Sequence, residues 1–194
     1  MIVPVSKGIV PTMGGEDHVL VEKTLGGNEG AFEELVRQYQ APIYCLALRF
    51  VREEGAAADL AQTTFLRAFQ GLRGFRHGSS FKTWLYRIAI NLCKNYLRDR
   101  GKKKENSLGE IDPPSSANPL RDLIAHEDQR LLAQAWGKLP ERQRLTVTLK
   151  INEGMKYREI AEVLGCSVGA VKANFHHACQ KMKAILQEVR DEMP

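Results

Sequence analysis

A proline-rich segment divides the sequence into two stretches that each have the periodicity of amphipathic helices. From Glu105 the chain reads ENSLGEIDPPSSANPLRD, in which three prolines and several Ser and Asn residues interrupt every periodic pattern. The 194 residues suffice for one large domain or two small ones, since domains commonly have roughly 100–150 residues. We therefore predict two small helical domains, residues 16–104 and 124–194, joined by a flexible linker at residues 105–123.

Apolar residues before the linker recur every three or four positions, the spacing that places them on one face of a helix. Three series are present: Phe32, Leu35, Val36, Tyr39, Ile43, Leu46 and Phe50; Ala61, Phe65, Ala68, Phe69 and Leu72; and Phe81, Trp84, Leu85, Ile88, Ala89, Leu92 and Tyr96. Pro42 falls inside the first series, so we expect a kink or break near Gln40. No stretch alternates apolar and polar residues between hairpin turns, which makes the predicted fold class all-α.

Three more helices are predicted outside these series. A short one around His18 to Leu25 precedes the breaker Gly26-Gly27-Asn28. After the linker, one helix runs from about Ile124 to Leu139. Another runs from Glu141 to Ile151, where Asn152-Glu153-Gly154 ends it.

The C-terminal region has the spacing of a helix-turn-helix. The chain reads YREIAEVL over residues 157–164, turns at Gly165, and continues as a long helix from Val168 to about Val189. Ser167 stands where an N-cap residue is expected. An ordinary hairpin of two helices, with no role in DNA binding, is the alternative interpretation of this spacing.

The long C-terminal helix combines an apolar face with a polar face free of acids. The apolar positions are Val168, Val171, Phe175, Ala178, Met182 and Ile185. The outward positions are Ala173, His176, His177, Gln180 and Lys181, flanked by Lys172 and Asn174. Amide side chains read base edges in the major groove and lysines neutralise phosphates, so this face is typical of a DNA-binding helix. Adjacent histidines point to different sides of a helix, which argues against a metal site.

Positive charge is concentrated in one segment of the chain. Residues 67–104 contain eleven Lys or Arg and one acid, Asp99, whereas the rest has seventeen basic and twenty-two acidic residues. The segment therefore has a net charge of +10, whereas the whole chain has a net charge of +5. A local surplus of this kind is typical of a polyanion-binding surface. The alternative is a solvated helical face followed by a charged loop.

The sequence lacks the motifs of an enzyme or a metalloprotein. It has no phosphate-binding glycine-rich loop, no HExxH, no nucleophile elbow and no paired carboxylates in an apolar context. Asp59 and Glu159 fit roles as solvent-facing or capping residues. The four cysteines are scattered without a CxxC pair, so we predict no metal and no cofactor.

We expect the cysteines to be reduced and partly buried. The sequence is compatible with a disulfide between Cys166 and Cys179, although a helix would hold the two residues far apart.

No apolar run approaches the roughly 18 residues of a membrane span, and the first dozen residues lack a signal-peptide pattern. A cytoplasmic protein without membrane insertion is expected.

Several of these motifs together resemble a known family. Residues 75–91, FRHGSSFKTWLYRIAIN, continued by KNYL at 94–97, closely resemble region 2 of the extracytoplasmic-function sigma factors of bacterial RNA polymerase. Upstream, DLAQ at 59–62 and TFLRAF at 64–69 are similar to the polymerase-docking helix of that region. LPERQR at 139–144 and the helix-turn-helix resemble region 4. The match runs from about residue 18 to 186 in the family's order.

The resemblance implies a role for each of three surfaces. The polymerase-binding positions are Asp59, Gln62, Thr63, Leu66 and Arg67. The positions for the minus-ten element are Phe75, Ser79, Ser80, Arg87, Asn91, Lys94, Asn95 and Arg98. The positions for the minus-thirty-five element are Ser167, Lys172, Ala173, Asn174, His176, His177, Gln180 and Lys181.

In this family, region 2 flips one base of the non-template strand out of the stack into a pocket. By position, Phe75 and the loop 78–80 frame that pocket and Asn91 reaches the base, chemistry that suits single-stranded DNA. Trp84 belongs to the apolar series and is expected in the core.

The chain departs from the family's pattern at two surfaces. Thr63 stands where the docking motif usually has glutamate, so one polymerase contact is weakened or replaced. On the recognition helix, Asn174, His177 and Cys179 stand where the family usually places cations. We therefore expect fewer phosphate contacts there.

We interpret the chain as a sigma factor without catalysis of its own. Its expected partners are core RNA polymerase, promoter DNA and an anti-sigma factor, and it is expected to be a monomer when free or one-to-one with the anti-sigma factor. One rival is a helix-turn-helix regulator that acts without polymerase, which leaves the segments 59–67 and 75–91 unexplained. The other is a DNA recombinase or nuclease, which needs clustered acids or a nucleophile within the basic segment.

Overall fold

The computed structural model describes residues 15–75, 78–105 and 135–191, and the regular elements in these ranges are all helical. This confirms the all-α class. The residues fall into two compact units, the first made up mainly of residues up to 100 and the second containing most of the residues from 101 onward. Apart from Glu105, the predicted linker lies outside the described residues, as does most of the predicted helix at 124–139.

Four helices build the N-terminal unit: α1 (Gly15–Leu25), α2 (Glu29–Val51), α3 (Glu54–Gly71) and α4 (Phe81–Glu105). A 3-10 turn, Leu72–Gly74, follows α3. Gly27 takes a positive φ of 91° between the first two helices, and the side chain of Asn28 caps α2 by accepting the Ala31 N–H at 3.3 Å. The predicted breaker therefore separates α1 from α2.

Pro42 does not break α2, so of the predicted kink or break near Gln40 the break is wrong and the kink stays a prediction. The helix runs continuously from Glu29 to Val51 with Pro42 inside it. Proline removes one backbone donor, the N–H that would pair with the carbonyl of Gln38. Buried Tyr39 and Ile43 lie on either side of it, and their packing offsets that loss.

The core of the N-terminal unit lies where α2, α3 and α4 meet. One cluster of buried residues takes Ala47 from α2, Ala57 and Leu60 from α3, and Leu92 and Cys93 from α4. Burial raises the pKa of the Cys93 thiol to about 12, so this cysteine behaves as a small apolar residue.

A hydrogen bond between distant residues joins α1 to α2. The Tyr39 hydroxyl donates to Asp17 Oδ2 at 2.6 Å. Burial, followed by the hydrogen bond to Asp17 and its charge, raises the pKa of Tyr39 far above the usual value. The hydroxyl therefore stays protonated and remains a donor.

The C-terminal unit is built from a helical turn at residues 135–137 and three helices. These are α5 (Glu141–Val147), continued by a π-helical segment at Thr148–Asn152, α6 (Tyr157–Leu164) and α7 (Val168–Asp191). Gly154 has a φ of 65° and follows the π segment, as the predicted helix end required. Leu139, Val147 and Ala178 form a buried cluster against which Trp136, Phe175 and Met182 pack.

Two predictions about which side chains are buried are wrong. Phe69, counted in an apolar series, is 48% exposed, although its ring makes a T-shaped contact with that of Phe32, with ring centroids 5.0 Å apart. Cys45 and Cys179 are exposed, whereas Cys93 is buried. All four cysteines are free thiols, which rules out the disulfide between Cys166 and Cys179 in this structure.

Candidate nucleic-acid interface

Three aromatic side chains meet where the 3-10 turn leads into α4. The ring centroid of Phe75 lies 5.0 Å from that of Trp84 and 6.3 Å from that of Phe81. Phe81 is buried at 3% exposure, whereas Phe75 and Trp84 are half-buried. Trp84 is therefore partly core, as expected, and partly surface.

The loop before α4 is ordered by Ser80. Its Oγ accepts the Thr83 backbone N–H at 3.1 Å and lies 2.8 Å from Thr83 Oγ1. Ser80 thus caps the helix in addition to any role at the surface. Ser79 is half-buried and Gly78 is exposed. Arg76 and His77 lie outside the described residues.

The five predicted DNA-contacting residues of α4 share one exposed face. They are Arg87, Asn91, Lys94, Asn95 and Arg98. Their spacing of three and four residues aligns them along the helix, while Leu85, Tyr86, Ala89, Ile90 and Cys93 are buried on the other sides. An ion pair between Arg98 Nε and Asp99 Oδ1 at 3.5 Å is 63% exposed on both sides, so it holds the arginine only weakly.

The side of α4 opposite this face is tied to the start of α3. Glu53 Oε2 accepts from Arg100 Nη1 at 3.1 Å and from the Tyr96 hydroxyl at 3.4 Å. These contacts join residues more than forty positions apart, and the sequence contained no signal for them.

The predicted docking positions of α3 also lie on the surface. Asp59, Gln62, Leu66 and Arg67 are exposed and Thr63 is half-buried. Leu66 is 55% exposed. The opposite side is buried through Leu60, Ala61, Thr64, Phe65 and Ala68. A large aliphatic side chain in solvent contributes little to the fold, which makes this face a candidate protein interface.

The turn between α6 and α7 has the geometry of the predicted motif. Gly165 has a φ of 64°, a left-handed conformation that favours glycine. Ser167 Oγ accepts the Ala170 N–H at 3.1 Å, which confirms the predicted cap of α7. Glu159 caps α6 by accepting the Lys156 N–H at 2.6 Å. Buried Ile160, Ala161 and Val171 form the small core of the motif.

The polar face of α7 is exposed as expected. Ser167, Lys172, Ala173, His176, His177, Gln180 and Lys181 are exposed and Asn174 is half-buried. The rings of His176 and His177 are 6.1 Å apart.

Among the described residues, no group of three or more metal-ligating side chains could hold an ion. Within the same residues, no helix is both long and apolar enough to cross a membrane.

The fold has two helical units, and each has a long helix with an exposed polar face. Family models for Sigma-70 region 2 and Sigma-70 region 4 match residues 35–103 and 129–182. The RNA polymerase sigma-H factor of Pseudomonas aeruginosa is 36% identical over 187 residues, covering 91% of this chain and 97% of that protein. The ECF RNA polymerase sigma-E factor of Escherichia coli K12 is 34% identical over 174 residues, covering 84% and 90%.

Two solved structures share the fold. CnrH in complex with the cytosolic domain of CnrY is 28% identical with a TM-score of 0.67, covering 89% of this chain and 98% of that chain. RpoE of Bartonella quintana, solved with the anti-sigma factor NepR, is 24% identical with a TM-score of 0.68, covering 80% and 96%.

The chain belongs to the extracytoplasmic-function sigma factors of the sigma-70 family. It is an RNA polymerase sigma factor, the subunit that binds core polymerase, directs it to promoters and promotes DNA opening. The rival interpretation as a regulator that acts without polymerase is not favoured.

Proposed function

We propose that this sigma factor divides promoter recognition among three surfaces. The α3 face docks on core polymerase, the α4 face with Phe75 captures the non-template strand of the minus-ten element, and the polar face of α7 reads the minus-thirty-five element. The observation that carries the proposal is the single exposed stripe of Arg87, Asn91, Lys94, Asn95 and Arg98 on α4.

The α4 face supplies both kinds of contact that single-stranded DNA requires. Arg87, Lys94 and Arg98 are exposed at intervals of seven and four residues and can neutralise successive phosphates. The half-buried ring of Phe75 offers an aromatic wall on which an unstacked base can lie. Asn91, exposed on the same helix, supplies a donor and an acceptor for the base edge.

The α3 face supplies a protein contact of mixed chemistry. Leu66 is exposed between Gln62 and Arg67, with Asp59 two turns earlier. An apolar centre with a polar rim is typical of protein interfaces. Thr63 is half-buried in this face and presents a hydroxyl where the family's motif has a carboxylate.

The α7 face can contact base edges but carries few charges. Lys172 and Lys181 flank a set of neutral side chains, among them Asn174 and Gln180, that can pair with base edges. With so little cationic charge, the affinity of this unit for duplex DNA depends less on salt than that of an arginine-rich helix.

We further propose a regulatory partner and a cellular location for this chain. An anti-sigma factor binds this chain one-to-one, and the free chain is a monomer. The solved complex of the related CnrH with the cytosolic domain of CnrY supports a protein partner of this kind. The chain acts in the cytoplasm, without catalysis of its own and without a cofactor.

Transcription by a defined polymerase tests the function. Purified core enzyme is supplied with this chain on genomic DNA, and the 5′ ends of the transcripts are sequenced. A small set of start sites with shared upstream elements supports the proposal. Sequence-specific binding to genomic DNA fragments without core enzyme, together with no new transcripts, would favour the regulator interpretation.

The docking surface has its own test. The variant Gln62→Ala/Arg67→Ala should weaken binding to core enzyme, measured by fluorescence titration, and leave the helical content unchanged. Gln40→Ala/Arg49→Ala is the matched control, because it removes the same residue types at exposed positions of α2. Equal affinities for the two variants would place the docking surface elsewhere.

A further inference from the structure

One side chain, Trp84, links the end of α3 to the aromatic ring of Phe75. Its ring centroid lies 5.0 Å from that of Phe75, with an angle of 41° between the planes, and 5.9 Å from that of Phe81. Phe81 in turn lies 5.8 Å from Tyr39 of the core. The position of the Phe75 ring thus depends on where the indole lies.

On α3, the indole lies against Gly71. A Cβ atom added to Gly71 would be 3.3 Å from Trp84 Cζ2 and 3.7 Å from Cη2. Carbon atoms attract best at roughly 3.5–4.0 Å, so any larger residue would push the indole outward by a few tenths of an ångström. Trp84 can lie where it does because residue 71 has no side chain.

The backbone gives no other reason for glycine at this position. Gly71 has φ of −88° and ψ of −2°, a right-handed conformation open to any residue. Gly165, by contrast, has a positive φ. The constraint on a side chain at position 71 therefore comes from the close approach of the indole.

We propose that Gly71 and Trp84 are positioning residues for base capture. The indole, seated on Gly71, supports the ring of Phe75 at the angle in which it forms the wall for an unstacked base. Neither residue contacts the base. This inference rests on the proposed role of Phe75 in capturing the minus-ten element.

The first test substitutes Gly71 and then relieves the strain. Gly71→Ala in the holoenzyme should lower the rate of open-complex formation by roughly 2- to 12-fold, the range expected if one aromatic pair is lost. Closed-complex binding and affinity for core should not change. Gly71→Ala/Trp84→Phe should recover most of the rate, because the smaller ring leaves room for the methyl group and still supports Phe75.

The chain offers a matched control on the same helix. Gly55 lies in the first turn of α3, and a Cβ there meets nothing within 4 Å. Gly55→Ala should therefore open promoters at the wild-type rate. The readout is 2-aminopurine fluorescence in a promoter recovered by the transcript mapping, with the base analogue placed in the minus-ten element.

A double-mutant cycle distinguishes a positioning role of Gly71 from a general loss of folding or stability. In a Phe75→Ala background, Gly71→Ala should cause no further loss, because the ring it displaces is gone. Losses that multiply, or a Gly71→Ala variant that opens DNA as fast as Gly55→Ala, would overturn the inference. If Gly71→Ala lowers the thermal stability of the chain, a second cycle uses Trp84→Leu in its place. Trp84→Leu, Phe75→Ala and the double variant are then compared, and α3 is left unaltered.

Failure of the underlying function has a different signature. If Phe75→Ala alone leaves open-complex formation unchanged, Phe75 does not capture a base, and both the proposed pocket and the positioning role are wrong. If Phe75→Ala impairs opening but the cycle is additive, the pocket stands and only the positioning role is wrong.

Discussion

The two candidate DNA-binding faces are both exposed sides of long helices, but they differ in charge. The α4 face carries three cations and two asparagines, next to a half-buried aromatic pair. The α7 face carries two lysines among alanine, histidine, asparagine and glutamine. Phosphate contacts position a protein on DNA, whereas base contacts specify the sequence. In the function that we propose, α4 therefore makes most of the phosphate contacts and α7 most of the base contacts.

The helices also differ in how they are supported. α4 is buried through large side chains, with Leu85, Tyr86 and Ile90 fully enclosed. α7 is buried at Val171, Ala178 and Ile185, which are smaller and more widely spaced. The helix to which we assign strand capture is thus the more heavily packed of the two.

The largest expected effect comes from removing the charge of the α4 face. Arg87→Ala/Lys94→Ala/Arg98→Ala should lower the slope of log affinity against log salt by about 2, since each phosphate contact on single strands contributes about 0.7. With binding at 1 M salt unchanged, that amounts to about a 100-fold loss at 0.1 M. The measurement is anisotropy of a labelled non-template oligonucleotide with the holoenzyme.

The control for this variant removes the same charge elsewhere. Lys23, Arg37 and Arg49 are exposed cations of α1 and α2, and their replacement by alanine tests for an effect of net charge alone. A salt slope equal to that of the α4 variant would show that no specific face exists.

A somewhat smaller gain is expected from adding charge to α7. Asn174→Arg/His177→Arg should steepen the salt slope on duplex DNA by up to about 1.8, or about 60-fold in affinity at 0.1 M, because each contact on B-DNA contributes about 0.9. Affinity for scrambled duplexes should rise as much as for the cognate element. Ala184→Arg/Gln187→Arg, at exposed positions further along α7, is the comparison variant. An unchanged slope would mean that positions 174 and 177 do not face phosphates.

The next effect concerns base capture. Phe75→Ala and Asn91→Ala should each reduce the open-complex fraction, Phe75→Ala by about 30-fold, since stacking contributes about 1–3 kcal/mol per base. Closed-complex binding should change little. Permanganate reactivity of unpaired thymines and a filter-binding assay measure the two steps. Equal losses in both steps would contradict the pocket assignment.

The smallest effect compares a hydrogen bond between two helices of the N-terminal unit with a hydrogen bond inside one helix of the C-terminal unit. Tyr39→Phe removes the hydrogen bond from α2 to Asp17 of α1 and should cost about 1 kcal/mol of unfolding free energy, a typical net value. Thr146→Val should cost less, because the Thr146 hydroxyl donates within its own helix, to the carbonyl of Arg142 at 2.7 Å. Such back-bonding adds little to a helix. Chemical denaturation of the full chain measures both variants, and a larger loss for Thr146→Val would reverse the comparison.

Local patterns in the sequence were sufficient to predict most helices and the cap at Ser167. A helical face follows from spacing alone, and a left-handed turn at Gly165 follows from the residue type. The positions of Arg87, Asn91 and Lys94 on one exposed face were predictable for the same reason.

Contacts between helices were not predictable, because a periodic pattern describes only neighbours within one helix. Whether Pro42 breaks α2 depends on what packs beside it, and how much of Phe69 is exposed depends on how α3 lies against α2. The pairing of Asp17 with Tyr39, and of Gly71 with Trp84, depends on how the helices cross. The sequence by itself determined the helices and their charged faces. Only the tertiary structure decided which side chains meet, since that depends on distances between helices that no local spacing encodes.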